Sequence, residues 1–253
     1  MLALEWLANA RSIMQQIEDT QLENIKKAAL VMADSIESDN WVHTFGCGHA
    51  TIPVEEMYPR IGGFVGFHPM VELPMTFFTG ITGQMGIHQF LFLERAEGYG
   101  NAIMKAYNFN EKDCIWIFSH TGINNVNIDV ALRAKELGLK VIVYGSAAEA
   151  EGKVTRHPSG KTIFEIADIV VDSCVPVVDA SVQLKHHQDK VGPVSTLSFV
   201  TLVWLTIITV AEILEERGVK LYINPSHNVP GDTTAHERLD ACLAEYKRRV
   251  AKV

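Results

Sequence analysis

The sequence has few cysteines and no excess of basic residues. Its 253 residues include four cysteines, at positions 47, 114, 174 and 242, and none has the CxxC spacing of zinc or redox motifs. This pattern indicates reduced thiols in a cytoplasmic protein rather than a disulfide framework. The formal net charge of -8 argues against the basic surface on which nucleic-acid binding depends. We therefore expect no nucleic-acid partner.

The sequence also leads us to expect no metal site, no secretory leader and no membrane span. The ten histidines form no HxxxH or HExxH pattern, so we expect neither a metal nor a cofactor. The N-terminus carries Glu5, Glu18 and Asp19 where a signal peptide would be basic. The apolar run at 194–214 contains six Ser or Thr residues and has no flanking basic cluster, which favours a buried helix over a span.

What the sequence does contain is a strand followed by a hydroxyl-rich turn and a helix, at 114–138. The apolar residues 114–118 predict a buried parallel strand, and a helical pattern begins at Ile123. A helix N-terminus presents unpaired N–H groups and a positive dipole end to whatever the turn holds. The alternative is that the hydroxyls only cap the helix. We expect an anion to be bound by Ser119, Thr121, Gly122, Asn124 and Asn125.

A second turn with the same character follows the predicted strand at 41–46. Gly46 and Gly48 match the first half of a dinucleotide fingerprint, but Thr51 occupies the position of the third glycine. A Rossmann nicotinamide site is therefore disfavoured. Two such turns in one chain predict a sugar phosphate lying across the carboxyl ends of a parallel sheet.

Alternating strand and helix patterns predict the fold class. Strands are expected at 41–46, near 64–67, and at 114–118, 140–144 and 168–172. Helices are expected within 1–38, at 50–60, 86–107 and 123–138, from 194 onward, and at 232–250. This order predicts an α/β fold, a doubly wound three-layer αβα sandwich with a central parallel sheet and appended N-terminal helices. We expect one domain, with a helical arm (1–38), a core (39–217) and a C-terminal segment (218–253).

The two turns, FGCGHA and SHTGINN, resemble those of the SIS (sugar isomerase) domain family. The segments AEGYGNAI, HPSGKTIFEIADIVVDSC and VGPVSTLS are similar to SIS proteins of the phosphoheptose-isomerase-like kind. The resemblance implies an anionic sugar ligand and a homodimer or homotetramer with sites near subunit interfaces. True phosphoheptose isomerases carry His and Glu four residues apart after the first turn. The corresponding positions here are 56 and 60, or 52 and 56, and neither pair contains a histidine.

The residues support aldose–ketose isomerisation through an enediol, which needs a base, a ring-opening group and an anion anchor. Glu56 is the expected base, with Glu55 as the alternative, and His49 in the first turn is expected to polarise a carbonyl. The resemblance implies that His227 or Asn228 reaches the ligand of a neighbouring subunit. The remaining predicted contacts to the substrate come from Gly46, Gly48, Arg60, Ser195 and Thr196.

The anion and the reaction stay open at this point. No lysine accompanies the hydroxyl-rich turn, so a singly charged sulfonate is an alternative to a phosphate. A second hypothesis for the function is a sensor that binds a sugar phosphate without turnover. A lyase of the muramic acid phosphate etherase type, which eliminates lactate, is a third.

Overall fold

A computed structural model of the chain describes residues 1–57, 59–76 and 86–253. Its centre is a five-stranded sheet in the order β2-β1-β3-β4-β5, and every neighbouring pair is parallel. The strands are β1 (Val42–Gly46), β2 (Phe67–Met70), β3 (Cys114–Phe118), β4 (Lys140–Gly145) and β5 (Ile169–Asp172). The predicted parallel α/β fold is confirmed, and four of the five strands lie where the apolar runs place them.

The described helices cover both faces of this sheet. They are α1 (Leu2–Thr20), α2 (Leu22–Glu37), α3 (Ile52–Glu55), α4 (Gly86–Leu93), α5 (Tyr99–Met104), α6 (Asn125–Glu136), α7 (Ala147–Ala150), α8 (Ile163–Ile166), α9 (Ser195–Glu216) and α10 (Ala235–Val250). Residues of α1, α2 and α9 pack in one core with one face of the sheet. Residues of α4, α5, α6 and α8 pack in a second core with the other face.

Strand β3 shows why both faces need cover. Trp116 and Phe118 belong to the first core, whereas Ile115 and Ile117 belong to the second, and all four are fully buried. Alternate side chains of a strand point to opposite faces, so a strand that is apolar throughout requires helices on both sides. The Trp116 ring meets the Tyr144 ring edge-on, with 4.9 Å between centroids.

The long apolar run forms α9, and its predicted burial is confirmed on one side of the helix. Phe199, Leu202 and Val210 are buried in the first core, and the Thr206 hydroxyl lies 2.7 Å from the Tyr144 hydroxyl. By length and composition, α9 alone among the described helices could cross a membrane. Its contacts with α2 and the sheet are those of a core helix, while Ile208 on the other side is 55% exposed.

Several predicted boundaries differ from the structure. The helix expected at 86–107 is two helices, α4 and α5, interrupted at Gly98 with φ +78°. The helix expected at 50–60 is a 3-10 turn at 48–51 followed by α3 alone. The short strand is β2 at 67–70, and residues 174–193, for which no strand was predicted, contain the antiparallel pair β6 (Ala180–Val182) and β7 (Val191–Pro193).

A buried polar cluster joins the amino-terminal halves of β1 and β2. The two Nδ1 atoms of His43 and His68 lie 3.1 Å apart, and His43 Nε2 lies 3.1 Å from Asp113 Oδ2. His43 is fully buried and His68 is 7% exposed. Burial, reinforced by the charge of His43, lowers the pKa of His68 from its ordinary 6.5 to about 4. The folded protein therefore holds His68 neutral.

This depressed pKa predicts a loss of stability in acid. Below pH 6.5 the unfolded chain takes up a proton at His68 that the folded chain refuses until about pH 4, so stability falls as pH falls through that window. His68→Asn should reduce the drop in unfolding free energy between about pH 7.5 and about pH 5 by about 2 kcal/mol, measured by urea titration. The same substitution at the exposed His88 is the control, and an equal effect there would contradict the assignment.

Candidate functional site

The sheet order places a crevice between the carboxyl ends of β1 and β3. From β1 the chain crosses to β2 on one side, and β3 pairs with β1 on the other, with Gly46 opposite Phe118. Open α/β sheets bind ligands at such a switch point, beyond the carboxyl ends of the strands. A cavity of about 320 Å³ lies there, and both predicted turns line it. Its polar walls include Cys47, His49, Glu94, Ser119, Thr121 and Asn124.

The first turn is shaped by its two glycines. A Cβ atom on Gly46 would lie 2.1 Å from the Ala50 carbonyl oxygen, so no side chain can stand there. Gly48 has φ +63°, which glycine adopts at little cost. Thr51 donates its hydroxyl to the Gly48 carbonyl at 2.7 Å and closes the turn. This conformation leaves His49 exposed at the cavity wall.

Hydrogen bonds tie the first turn to the second. Cys47 donates its thiol to Asn127 Oδ1 at 3.3 Å, and Asn127 Nδ2 donates to Ser119 Oγ at 3.2 Å. The Gly122 N–H also donates to Ser119 Oγ, at 3.3 Å. Burial raises the pKa of the Cys47 thiol, so it remains a neutral donor. Because Ser119 Oγ accepts both of its bonds and finds no acceptor among the described residues, its own proton is available to a ligand.

Helix α6 begins at the cavity, as the sequence predicts. Asn124 is extended, with φ −84° and ψ 142°, and no side chain caps the first N–H groups of the helix. The side chains of the two asparagines hold the neighbouring segment instead. Asn124 Nδ2 donates to Glu94 Oε2 at 2.9 Å, and Asn125 Nδ2 donates to the Arg95 carbonyl at 2.8 Å. The Asn125 Oδ1 atom is buried and has no partner among the described residues.

Glu94 is a candidate site residue that sequence reasoning missed. It is 8% exposed and lines the cavity directly after α4. Burial raises the pKa of its carboxyl, against the opposing effects of Arg95, Arg156 and the Asn124 hydrogen bond. Carboxyl groups that act as catalytic bases commonly have a pKa raised toward neutral pH. The available signal was an acidic residue directly after an apolar helical run, two positions before the segment AEGYGNAI.

Comparison with known proteins decides the family. A model of the SIS domain matches residues 5–146, more than half of the chain. The chain belongs to the SIS domain family. A UPF0309 protein of Thermoanaerobacter pseudethanolicus is 30% identical over 251 residues, which cover 98% of each chain. A UPF0309 protein of Caldanaerobacter subterraneus is 31% identical over 241 residues, 94% of each chain.

Solved structures show the same fold for this SIS protein. A phosphoheptose isomerase of Francisella tularensis matches with a TM-score of 0.56 and 11% identity, covering 83% of this chain and 96% of its own. The phosphoheptose isomerase GmhA of Neisseria gonorrhoeae matches with the same TM-score and 12% identity, covering 83% and 97%. At these identities the likeness is one of fold.

Glu56, expected as the base of the SIS site, does not line the cavity. Helix α3 ends at Glu55, which turns the Glu56 carboxylate toward α9. There it accepts from Trp204 Nε1 at 3.2 Å and pairs with Arg60 Nε at 3.1 Å. Arg60 is likewise outside the cavity, with its side chain 56% exposed. In the single chain, the two residues therefore form an ion pair with each other outside the cavity.

At the start of α9, where Ser195 and Thr196 are predicted to contact the substrate, the donor groups already bind a carboxylate of the chain. Asp179 Oδ1 accepts from the N–H groups of Val194 and Ser195 at 2.8 and 2.7 Å. Asp179 Oδ2 accepts from the Ser195 hydroxyl at 2.6 Å. Ser195 lines the cavity, but its donors serve this carboxylate, and the half-buried Thr196 does not line the cavity. An external anion at this end of α9 would have to compete with Asp179.

The C-terminal candidates also lie outside the cavity of a single SIS chain. His227 and Asn228 are exposed. The His227 ring lies 4.8 Å from the His236 ring, and the Asn228 N–H donates to Ser226 Oγ at 3.3 Å. The described residues contain no group of three or more His, Cys, Asp or Glu side chains that could hold a metal ion.

His120, between Ser119 and Thr121 in the second turn, is a further cavity residue of this SIS protein. It lines the cavity, and its Nδ1 atom is buried with no partner among the described residues. Burial lowers the pKa of His120, although the charges of Asp179 and Glu149 oppose this. The ring is therefore held as a neutral imidazole, which offers one donor and one acceptor nitrogen.

Gly122 provides a test of the second turn. A Cβ atom there would lie 2.2 Å from Phe164 Cε2, at φ +71°. Gly160 also has φ +71°, but nothing lies within 4 Å of its Cβ position. Gly160→Ala should lower the unfolding free energy by about 1–2 kcal/mol through backbone strain alone.

Gly122→Ala should add about 1–3 kcal/mol to that loss, because the Phe164 ring must also move. Urea titration of the two variants and the wild type measures both losses of unfolding free energy. Equal losses in the two variants would mean that the contact with Phe164 does not constrain the turn.

Proposed function

We propose that this SIS protein is an isomerase that interconverts an aldose and a ketose bearing a terminal phosphate or sulfonate. The observation that carries the proposal is a buried carboxyl of raised pKa, Glu94, in the same cavity as the Ser119–Thr121 turn. Such a cavity can hold an anionic sugar by one end and remove a proton at the other. The family and the fold shared with two phosphoheptose isomerases support this class of function.

Glu94 is the proposed base, in place of Glu56. Enediol formation requires a group that removes the proton next to a carbonyl and returns it to the neighbouring carbon. Asn124 fixes Glu94 Oε2 by a hydrogen bond, and Glu94 Oε1 lies 3.9 Å from Arg95 Nε. The carboxylate is thus oriented without a close ion pair, which would depress its basicity.

His49 and His120 are the proposed partners of the sugar hydroxyls and carbonyl. His49 stands at the exposed wall formed by the first turn, where a ring oxygen could be protonated. The neutral His120 ring lies between the two anchoring hydroxyl residues and can exchange a proton with an adjacent oxygen without carrying charge itself.

The anion anchor is proposed at the second turn. It consists of the Ser119 proton, the Thr121 hydroxyl, and the N–H groups at the start of α6 that no side chain caps, apart from the Val126 N–H, which donates to the Glu94 carbonyl at 3.3 Å. A helix N-terminus with hydroxyl donors binds phosphate or sulfonate without a cationic side chain. Gly46, Gly48 and Gly122 keep the backbone close to the ligand on both sides.

We further propose that the protein works in the cytoplasm as a homodimer or homotetramer. Apolar side chains of α1 and α2 are left open to solvent in the single chain, with Leu2, Leu4 and Leu22 46%, 62% and 49% exposed. Packing against a second copy would bury them. The exposed His227 and Asn228 are available to approach the cavity of such a copy.

The base is tested by exchange of the C2 proton. A thermal-shift screen of aldose and ketose phosphates and of sulfosugars first finds a ligand, and proton NMR in deuterated water then follows its C2 position. Glu94→Gln should lower the exchange rate about 10²–10⁴-fold while retaining ligand binding. Glu56→Gln is the matched control and should stay within a few-fold of the wild type. Loss of exchange in the control, but not in Glu94→Gln, would restore Glu56 as the base.

The pH dependence of the same reaction follows from the sign of the Glu94 shift. The base must be ionised, so the exchange rate should rise with pH through an apparent pKa above the ordinary 4.5 of a glutamic acid. A profile that is flat down to pH 4.5 would contradict a raised pKa. Binding without exchange at any pH would favour a sensor, and release of lactate would favour the lyase.

A further inference from the structure

A second cavity adjoins the proposed active site. Its volume is about 450 Å³, and it shares the walls Glu94, Thr121 and Asn124 with the first cavity. Its other polar walls are Arg95, Lys153 and Arg156. Sequence patterns do not predict this grouping, because Lys153 and Arg156 belong to the loop that follows α7, far from α4 along the chain.

The cavity is locally cationic in a chain whose formal net charge is -8. Lys153 pairs with Glu149, and Arg95 Nε is 3.9 Å from Glu94 Oε1, the outer limit of an ion pair. Arg156 forms no ion pair among the described residues, but its charge acts on the Glu94 carboxyl across the cavity. Three cations, Arg95, Lys153 and Arg156, thus stand against two carboxylates, Glu94 and Glu149, which leaves a net positive charge at the cavity.

The loop that carries these cations is anchored. His157 Nε2 lies 3.0 Å from Asp129 Oδ1 on α6, and Asp129 Oδ2 accepts from the Gly100 N–H at 3.2 Å. The Arg156 N–H donates to the Ile123 carbonyl at 3.1 Å. These bonds fix the backbone beside the second turn, so little ordering of the main chain is required when a ligand binds.

The field of the cations reaches the first cavity. Arg95 and Arg156 both lower the pKa of Glu94, and Lys153 lowers the pKa of His120. The two cavities are therefore electrostatically connected through their common wall. An anion in the second cavity would offset these cations and leave Glu94 a stronger base.

We propose that the basic cavity is a second anion-binding subsite, and that the ligand is a sugar phosphate carrying a second anionic group, a phosphate or a carboxylate. The identity of the sugar end rests on the proposed function, whereas the anion subsite does not. The hydroxyl and N–H donors of the second turn can hold one anion unaided. The cations on the other side of Thr121 and Asn124 then remain available to bind a second anion.

Inorganic pyrophosphate probes the cavity itself, because it is compact and needs no sugar. Titration calorimetry should show that Arg156→Ala weakens its binding about tenfold or more, and that Arg156→Lys restores most of the loss. Lys27→Ala removes the same charge from an exposed position on α2 and should change the affinity less than twofold. Affinity within twofold of the wild type in Arg156→Ala, or an equal loss in Lys27→Ala, would overturn the subsite.

A matched pair of sugars then tests the ligand class. Fructose 6-phosphate and fructose 1,6-bisphosphate differ by one phosphate. Ser119→Ala should weaken the binding of both, whereas Arg156→Ala should weaken only the bisphosphate, about tenfold. Equal weakening of both sugars by Arg156→Ala would show that the cations serve the first anion, and would overturn the two-anion ligand.

The two proposals fail separately. If pyrophosphate binding depends on Arg156 but no sugar shows C2 exchange, the subsite proposal is supported and the isomerase proposal is contradicted. If C2 exchange depends on Glu94 but pyrophosphate binding does not depend on Arg156, the isomerase proposal is supported and the subsite proposal is contradicted.

Discussion

The parallel pairing of β1 with β3 is the constraint on which the site depends. Because the chain leaves the sheet at neighbouring carboxyl ends, at Gly46 and Phe118, the two turns that follow must face each other. The bonds from Cys47 through Asn127 to Ser119 then link them into one wall. Every polar group in the cavity is positioned relative to that wall. A change that displaced either strand end would disturb both turns together.

The same constraint explains how a buried carboxyl is tolerated. Burying Glu94 disfavours its charged form, but Asn124 donates a hydrogen bond to it, and two arginines lie close enough to favour ionisation. Neither arginine makes a close ion pair with it: Arg95 Nε is 3.9 Å away. The carboxyl is therefore stabilised without losing its basicity, a balance that a tight salt bridge would not give.

The fold and the two turns were predictable because they depend on local patterns. The apolar run at 114–118 and the hydroxyls after it determine a strand and a helix start without reference to the rest of the chain. Glu94 was missed because the break between α4 and α5 depends on the left-handed conformation of Gly98. Glu56 follows the last residue of α3 and lies outside the cavity, a position that the helical pattern expected at 50–60 does not indicate. Helix ends and long-range contacts are set by packing, which periodicity does not record.

The net charge of the chain and the local charge of a cavity can have opposite signs. The net charge of -8 argues against a basic face for a polyanion, yet it does not determine the local charge of one cavity of about 450 Å³. Arg95 comes from the end of α4 and Arg156 from a loop fixed to α6 by His157, so only the tertiary fold brings them together. An overall negative charge disfavours non-specific anions over most of the surface. A small anion is then attracted chiefly where cations and uncapped N–H groups converge, which is beside Glu94.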